Sequence, residues 1–389
     1  MTPSRPEAPI RILHVVEATS TGVARHVLDL SEGALRAGHT PAVIYSPSRE
    51  DNLFRAGRAR LKDVRFHAVP MRRVPGPWDI PATLQVRRLV ARTGPYDVIH
   101  GHSSKGGMLA RLAGIGNDSA VVYTPHAIST QDPMLGRTKR LVFGAGEKAL
   151  ARLTDRIIAV SSDEGEHIVG LGIPRAKLVV IPNGVAPAAG PARAEARAAL
   201  GLAEDALAIG FVGRLSRQKA IDVLIAAFAP VAKANAKARL VVIGEGEEGA
   251  VARRQAERLG CARQMIWLGA VDALPRYPAF DLFAQPSRYE GFSYAVLEAA
   301  SHGIAVLTTD VGGSREAITD GVSGQIVPPD APESFAAALA TLTADPQRLA
   351  AMGRAARAEA GAVDGRQRMI DDTLALYRIL LTSRSDVRK

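Results

Sequence analysis

Glu290-Gly291-Phe292-Ser293-Tyr294-Ala295-Val296-Leu297-Glu298 sets two carboxylates at either end of seven residues. Before it lies an apolar run, Phe280-Asp281-Leu282-Phe283-Ala284, with the character of a buried strand. Its own second half, Ala295 to Ala300, reads as helix. Glu290 therefore falls on a strand-to-helix turn and Glu298 on the helix that follows. The backbone N–H groups of Gly291 to Tyr294 become the unpaired donors of a helix N-terminus, which favour an anion such as phosphate. An ionised carboxylate only accepts hydrogen bonds. Glu290 and Glu298 thus suit the hydroxyl groups of a sugar or ribose. Two surface glutamates on an ordinary helix would show the same spacing, so the rest of the chain has to decide.

On both sides of this stretch, short apolar runs alternate with longer amphipathic ones. In the first half the strand-like runs are Ile10 to Val16, Ala42 to Tyr45, Val64 to Val69, Tyr96 to His100, Ala120 to Thr124, Arg156 to Val160 and Lys177 to Ile181. Residues 186–197, rich in Ala and Pro, read as a linker entering a short helix. The pattern then restarts with Leu207 to Val212, Arg239 to Ile243, Met265 to Leu268, Leu282 to Ala284, Ala305 to Thr308 and Gln325 to Val327. Strands apolar along their length and joined by helices imply parallel sheets covered on both faces. The expected fold class is α/β, with two doubly wound Rossmann-like domains facing across a cleft. The boundaries expected are 1–185 for the first domain and 186–364 for the second. Ligands of such sheets bind at the strand C-termini.

Composition narrows the classes of function. The 389 residues are 47% hydrophobic and 23% charged, as in ordinary globular proteins. The single Cys261 excludes an internal disulfide and a cysteine metal cluster. The N-terminus lacks the apolar core of a signal peptide, and no run reaches the roughly 18 apolar residues of a spanning helix. A cytoplasmic location is expected. The net charge of +10 is uneven: residues 1–185 hold 25 Lys/Arg against 16 Asp/Glu. Aromatic residues are only 5% and no nucleic-acid motif is present. A basic half instead suits peripheral contact with anionic lipid at the inner face of a membrane, or is simply a solvated surface.

Several turns at strand ends carry chemistry. Gly213-Arg214-Leu215-Ser216-Arg217-Gln218-Lys219 follows the first strand of the second half. Gly213 permits close backbone approach, and Arg214 and Lys219 supply two cations. Opposite the helix N-terminus at Gly291 they would form a diphosphate site. Val311-Gly312-Gly313-Ser314 is a second tight turn, with Ser314 expected as a helix N-cap. In the first half, Gly22 opens a helix beside the first strand but belongs to no G-x-G-x-x-G fingerprint. His126 ends the strand at Thr124-Pro125, as a polar contact, a proton handler or a structural residue. Ser103, Ser104 and Lys105 open a helix after His100 and His102 and could form an acceptor or second anion site. His14 lies within a strand and reads as core. No Asp-x-Asp occurs, so a diphosphate-bound divalent metal lacks its commonest protein anchor.

Taken in order, these motifs resemble the retaining glycosyltransferases of family 4, which have the two-domain GT-B fold. The resemblance rests on Thr21-Gly22-Val23-Ala24-Arg25-His26-Val27, Asp97-Val98-Ile99-His100, His102 to Gly106, Tyr123-Thr124-Pro125-His126, Ile181 to Val185, Gly213-Arg214-Leu215 with Lys219, Pro286-Ser287, Glu290 to Glu298, Gly312 to Glu316 and Asp320 to Gly324. It implies that Glu290 and the amides of Gly291, Phe292 and Ser293 hold the donor sugar, and that Glu298 binds the ribose hydroxyls. Arg214 and Lys219 would hold the diphosphate, Gly22 would lie near it, and His126 would face the anomeric centre. It implies retention of configuration, no metal and no cofactor, with the nucleotide sugar as substrate. The final helix, residues 365–389, would cross back onto the first domain. Thr21, Ala127 and Ala220 depart from the family pattern at positions where glycine is usual.

The function expected is transfer of a sugar from a UDP- or GDP-linked donor to a saccharide or lipid-linked acceptor, in bacterial polysaccharide, lipopolysaccharide or glycolipid synthesis. With no covalent nucleophile in evidence, front-face attack is expected, the leaving phosphate taking the acceptor proton. A nucleotide-sugar epimerase of the same fold, and a basic non-catalytic nucleotide- or nucleic-acid-binding protein, are the alternatives.

Overall fold

A computed structural model describes residues 8–361 and 364–387. The first lobe carries β1 (Arg11–Val16), β2 (Thr40–Tyr45), β3 (Arg65–Ala68), β4 (Val98–His102), β5 (Ala120–Thr124), β6 (Arg156–Ala159) and β7 (Leu178–Val180). They form one parallel sheet in the order β3-β2-β1-β4-β5-β6-β7. The second lobe carries β8 (Leu207–Val212), β9 (Ala238–Ile243), β10 (Met265–Gly269), β11 (Leu282–Gln285), β12 (Ala305–Thr309) and β13 (Gly324–Val327). Its parallel sheet runs β10-β9-β8-β11-β12-β13. Both orders reverse direction beside their first strand, between β1 and β4 and between β8 and β11. These are the switch points where doubly wound sheets open a crevice.

Alternation along each strand sends residues to two different cores. In β1, Leu13 and Val15 pack with Val86, Ile99 and Leu109 on one face. Ile12 faces the other way, against Leu30, Val98 and Val122. That second face is closed by the final helix, Gly365–Val387, through Met369, Ile370, Leu374, Tyr377 and Leu380. Arg384 of this helix grips both oxygens of Asp155 at 2.9 and 2.7 Å. The chain therefore returns to the first lobe after building the second, and ties the lobes together.

Ser314 departs from expectation. It is the first residue of a four-residue helix, Ser314–Ala317, whose N-cap is Gly313. Its hydroxyl donates back to the Thr309 carbonyl at 2.8 Å instead of capping the helix.

Candidate active site

The stretch Glu290–Glu298 occupies the turn after β11 and the helix Tyr294–Ser301. Ser293 is the helix N-cap, but its hydroxyl makes no cap bond. It exchanges hydrogen bonds with the Gln285 amide at 3.0 and 3.1 Å. The first N–H groups of the helix are thereby left without a side-chain acceptor, as an anion site requires.

Glu290 is buried at the head of this turn. Its Oε1 accepts from Lys219 Nζ at 2.5 Å and from Ser287 Oγ at 2.7 Å. Gln285 Nε2 approaches the same oxygen at 3.3 Å. Lys219 reaches it because the turn after β8 folds back through an Lys219 N–H bond to the Ser216 carbonyl. Lys219, expected as a diphosphate ligand, is thus brought to the Glu290 turn, where it is paired with the carboxylate. Arg214 points elsewhere: its guanidinium pairs with Glu247 at 2.9 Å. It lines a cleft of about 150 Å³ with Arg73 from the first lobe and Arg217, Arg288 and Tyr289 from the second.

The lobes touch at the remaining predicted residues. A Cβ placed on Gly291 would lie 2.6 Å from the Ala127 nitrogen, and one on Gly22 would lie 2.9 Å from the Tyr294 ring. A side chain at Gly291 would collide with the backbone of the opposite lobe, and one at Gly22 would displace the Tyr294 ring. Phe292 is held by its carbonyl, which accepts from Asn183 Nδ2 at 3.1 Å. Glu298 is bonded by Tyr277 Oη at 2.8 Å and by Arg25 of the opposite lobe. Burial raises the Glu298 carboxyl above its ordinary value, and Arg25 and Tyr277 oppose that rise.

Thr21, Ala127 and Ala220 adopt left-handed backbone, with φ of 55°, 75° and 52°. Residues other than glycine rarely do so.

His126 is also left-handed, with φ of 56°. One buried carboxylate fixes this turn. Glu164 accepts the N–H groups of Ala127 at 2.8 Å, Ile128 at 3.1 Å and Val160 at 2.9 Å. Burial raises its carboxyl to about 7, against those three bonds. Glu164 was not among the expected residues, although Ser161-x-x-Glu164 before a helix has the form of a capping box.

Nor is His126 alone. His14, His26, His100 and His102 crowd behind it, all buried. His14 pairs with His100 in the β1–β4 register, so both share a face, and His102 follows two residues later on the same face. His100 is anchored by Tyr377 Oη at 2.5 Å and Thr124 Oγ1 at 2.7 Å. Burial lowers every one of these imidazoles below the usual histidine range, and neighbouring imidazoles push His14, His100, His102 and His126 further down; His14 lies at about 3 and His26, against its bond to Asn183, at about 4. Reading His14 as a core residue was incomplete: it is buried, but its Nδ1 bonds a neighbouring imidazole. Of the possible second anion site, Ser103 and Ser104 open the helix Ser103–Ala113, while Lys105 is buried and paired with Asp79.

Two stacked Rossmann-like lobes meeting at this site define the GT-B fold, and comparison with known proteins gives the family. Residues 20–189 match the family described as Glycosyltransferase Family 4, and residues 192–359 match Glycosyl transferases group 1. The chain belongs to the family 4 glycosyltransferases and is an enzyme of that class. It is 34% identical over 308 residues to the D-inositol 3-phosphate glycosyltransferase of Segniliparus rotundus, covering 74% of this chain and 67% of that one. To the protein of the same name from Kribbella flavida it is 33% identical, covering 74% and 72%. Among solved structures, HepE of Anabaena in complex with UDP and glucose has a TM-score of 0.79 at 21% identity, covering 94% of this chain and 99% of that one. Sucrose-phosphate synthase from Thermosynechococcus elongatus has a TM-score of 0.79 at 22% identity, covering 97% of each.

Proposed function

We propose that the protein transfers a sugar, with retention of configuration, from a nucleotide-diphosphate donor to a hydroxyl of a phosphorylated or lipid-linked acceptor. The observation that carries this reading is Lys219 on Glu290 at 2.5 Å, beside an uncapped helix N-terminus at the junction of the lobes. Breaking the anomeric bond builds negative charge on the diphosphate. Lys219 and the amides of Gly291 to Ser293, with Arg214 turned from Glu247, would stabilise it with no metal ion at the diphosphate. Each such preorganised group contributes typically about 3–4 kcal/mol. Glu290 would hold sugar hydroxyls and Glu298 the ribose. Glu298 accepts one bond on each oxygen from Arg25 and Tyr277, and a carboxylate has about four acceptor sites, so room for hydroxyls remains.

The name shared by the first relatives makes an inositol phosphate the first acceptor to test, and the cleft where Arg73, Arg214, Arg217 and Arg288 outnumber Asp132 and Glu247 suits its charge. A lipid-linked acceptor is supported by a basic apolar surface on the first lobe. Val74, Ile80 and Leu84 are exposed there among Arg72, Arg73, Arg87 and Arg88. Leu141 and Val142 are likewise exposed among Arg137, Lys139 and Arg140. No helix among the described residues is long and apolar enough to cross a membrane.

A thermal-shift screen against UDP- and GDP-sugars identifies the donor, since only ligand bound to the folded state raises the transition. Turnover with inositol phosphate or a lipid-linked acceptor should then release nucleoside diphosphate and a glycoside of retained configuration. Conversion of the donor to an isomer with no acceptor added would establish an epimerase instead.

A further inference from the structure

Three imidazoles stand in line behind the cleft. His14 Nδ1 lies 3.0 Å from His102 Nε2, and His102 Nδ1 lies 3.2 Å from His126 Nε2. The ring centroids are 5.2 and 5.5 Å apart. Those separations match the nitrogen distances plus the two ring radii, so the nitrogens face each other along the line of centres. That is the geometry of N–H···N hydrogen bonds. Ring nitrogens of His26, His102 and His126 also fall within 4.8 Å of one another. Yet a cation on the His102–His126 line would sit about 1.6 Å from each nitrogen, inside the about 2.0–2.1 Å of a zinc–imidazole bond.

A neutral imidazole has one N–H and one bare nitrogen. In a row of three, the direction of one bond therefore fixes the other. Run inward, the row ends with an N–H on His14 Nε2. Run outward, it ends with an N–H on His126 Nδ1 and a lone pair on His14 Nε2. His14 Nε2 is buried and has no hydrogen-bond partner. A stranded N–H there would lose its solvation entirely, and orphaned buried N–H groups are the rarer defect. The outward direction is the favourable one.

We propose that His14 and His102 are positioning residues that hold His126 in its Nδ1–H form, so that the ring presents a hydrogen-bond donor to an oxygen of the nucleotide sugar. Residue His126 is only partly buried, unlike the two histidines behind it. Glu164 fixes the backbone of the same turn independently. His26 supplies an internal reference. Asn183 Nδ2 donates to the Phe292 carbonyl, so Asn183 Oδ1 must accept from His26 Nδ1 at 3.1 Å. His26 is therefore Nδ1–H whatever the row does.

The role of His126 in turnover rests on the glycosyl-transfer reading, but its tautomer does not. Long-range ¹H–¹⁵N correlation spectra of histidine-labelled full-length protein report which ring nitrogen carries each proton. Wild-type His126, His102 and His26 should all show Nδ1–H. His102→Leu should release His126 to the Nε2–H form and lower kcat about tenfold or more with little change in donor KM. His102→Asn, whose amide N–H can replace the lost donor, should restore both. Nε2–H on wild-type His126 would overturn the proposal with no variant needed. So would a His102→Leu protein with unchanged His126 tautomer and kcat. A correct tautomer pattern in a protein inactive with every sugar nucleotide would fault the transferase reading alone.

Discussion

Arg25 and Glu298, 273 residues apart in sequence, form an ion pair that joins the two lobes. Their side chains are only 16% and 10% exposed. The carboxylate expected to take ribose hydroxyls is thus already held by a cation from the other domain. Removing one partner of a buried pair strands the other, at a cost of about 3 kcal/mol or more. Arg25→Met should destabilise the protein by that amount in urea unfolding. Arg25→Met with Glu298→Gln should cost clearly less than the sum of the single changes. Strict additivity would mean that the pair does not couple the lobes.

Loss of Lys219 or Arg214 should act on turnover. Lys219→Ala and Arg214→Ala should each lower kcat about a hundredfold or more with saturating donor. Wild-type turnover in both variants would remove them from the leaving-group site.

The buried histidines make stability depend on pH with a defined sign. Their folded values lie below the ordinary 6.5, with His14 at about 3 and His26 at about 4. Below pH 6.5 the unfolded chain binds protons that the folded chain refuses. Their stabilising contribution is therefore complete above that pH and is lost as pH falls towards the folded values. Each imidazole held neutral costs about 1.4 kcal/mol per pH unit in that window. His14 and His26 together should remove about 3 kcal/mol between pH 6.5 and pH 5. Urea unfolding at the two pH values measures this, and equal midpoints would mean that the cluster is charged when folded.

Ala127 and Ala220 hold left-handed backbone at 75° and 52°. Glycine would relieve about 1–2 kcal/mol of strain, less the roughly 0.5–1 kcal/mol that its greater freedom in the unfolded chain removes. Ala127→Gly should raise Tm slightly, whereas Ala220→Gly also loses a fully buried methyl worth about 0.8 kcal/mol and should leave Tm nearly unchanged. A fall of several degrees in both would show that the turns are not strained.

Vesicles containing anionic lipid should bind the protein at low salt through the surface around Ile80 and Leu141, and release it at high salt. Equal binding to neutral vesicles would contradict this.

Much of this architecture was legible in the sequence because it is written locally. Continuous apolar runs such as Leu207 to Val212 gave each strand within a residue or two, and the break at 186–197 separated the two sheets. The Glu290–Glu298 turn was readable for the same reason. What stayed hidden depends on residues that meet only after folding. The His14–His102 contact spans 88 residues and is set by strand register. The alternation His100-x-His102 on a strand was its one local trace. Arg25 sat within a recognised motif, yet its partner lies in the other lobe. Arg214 was legible as a cation but not as the partner of Glu247, which lies on a turn of its own.

The most direct test is a crystal structure of the protein with its nucleotide sugar bound. The diphosphate should lie between the lobes against Lys219, Arg214 and the amides of Gly291 to Ser293, with ribose hydroxyls on Glu298 and no cation bridging the phosphates. A ligand bound elsewhere, or a diphosphate held through a divalent ion, would contradict the central claim.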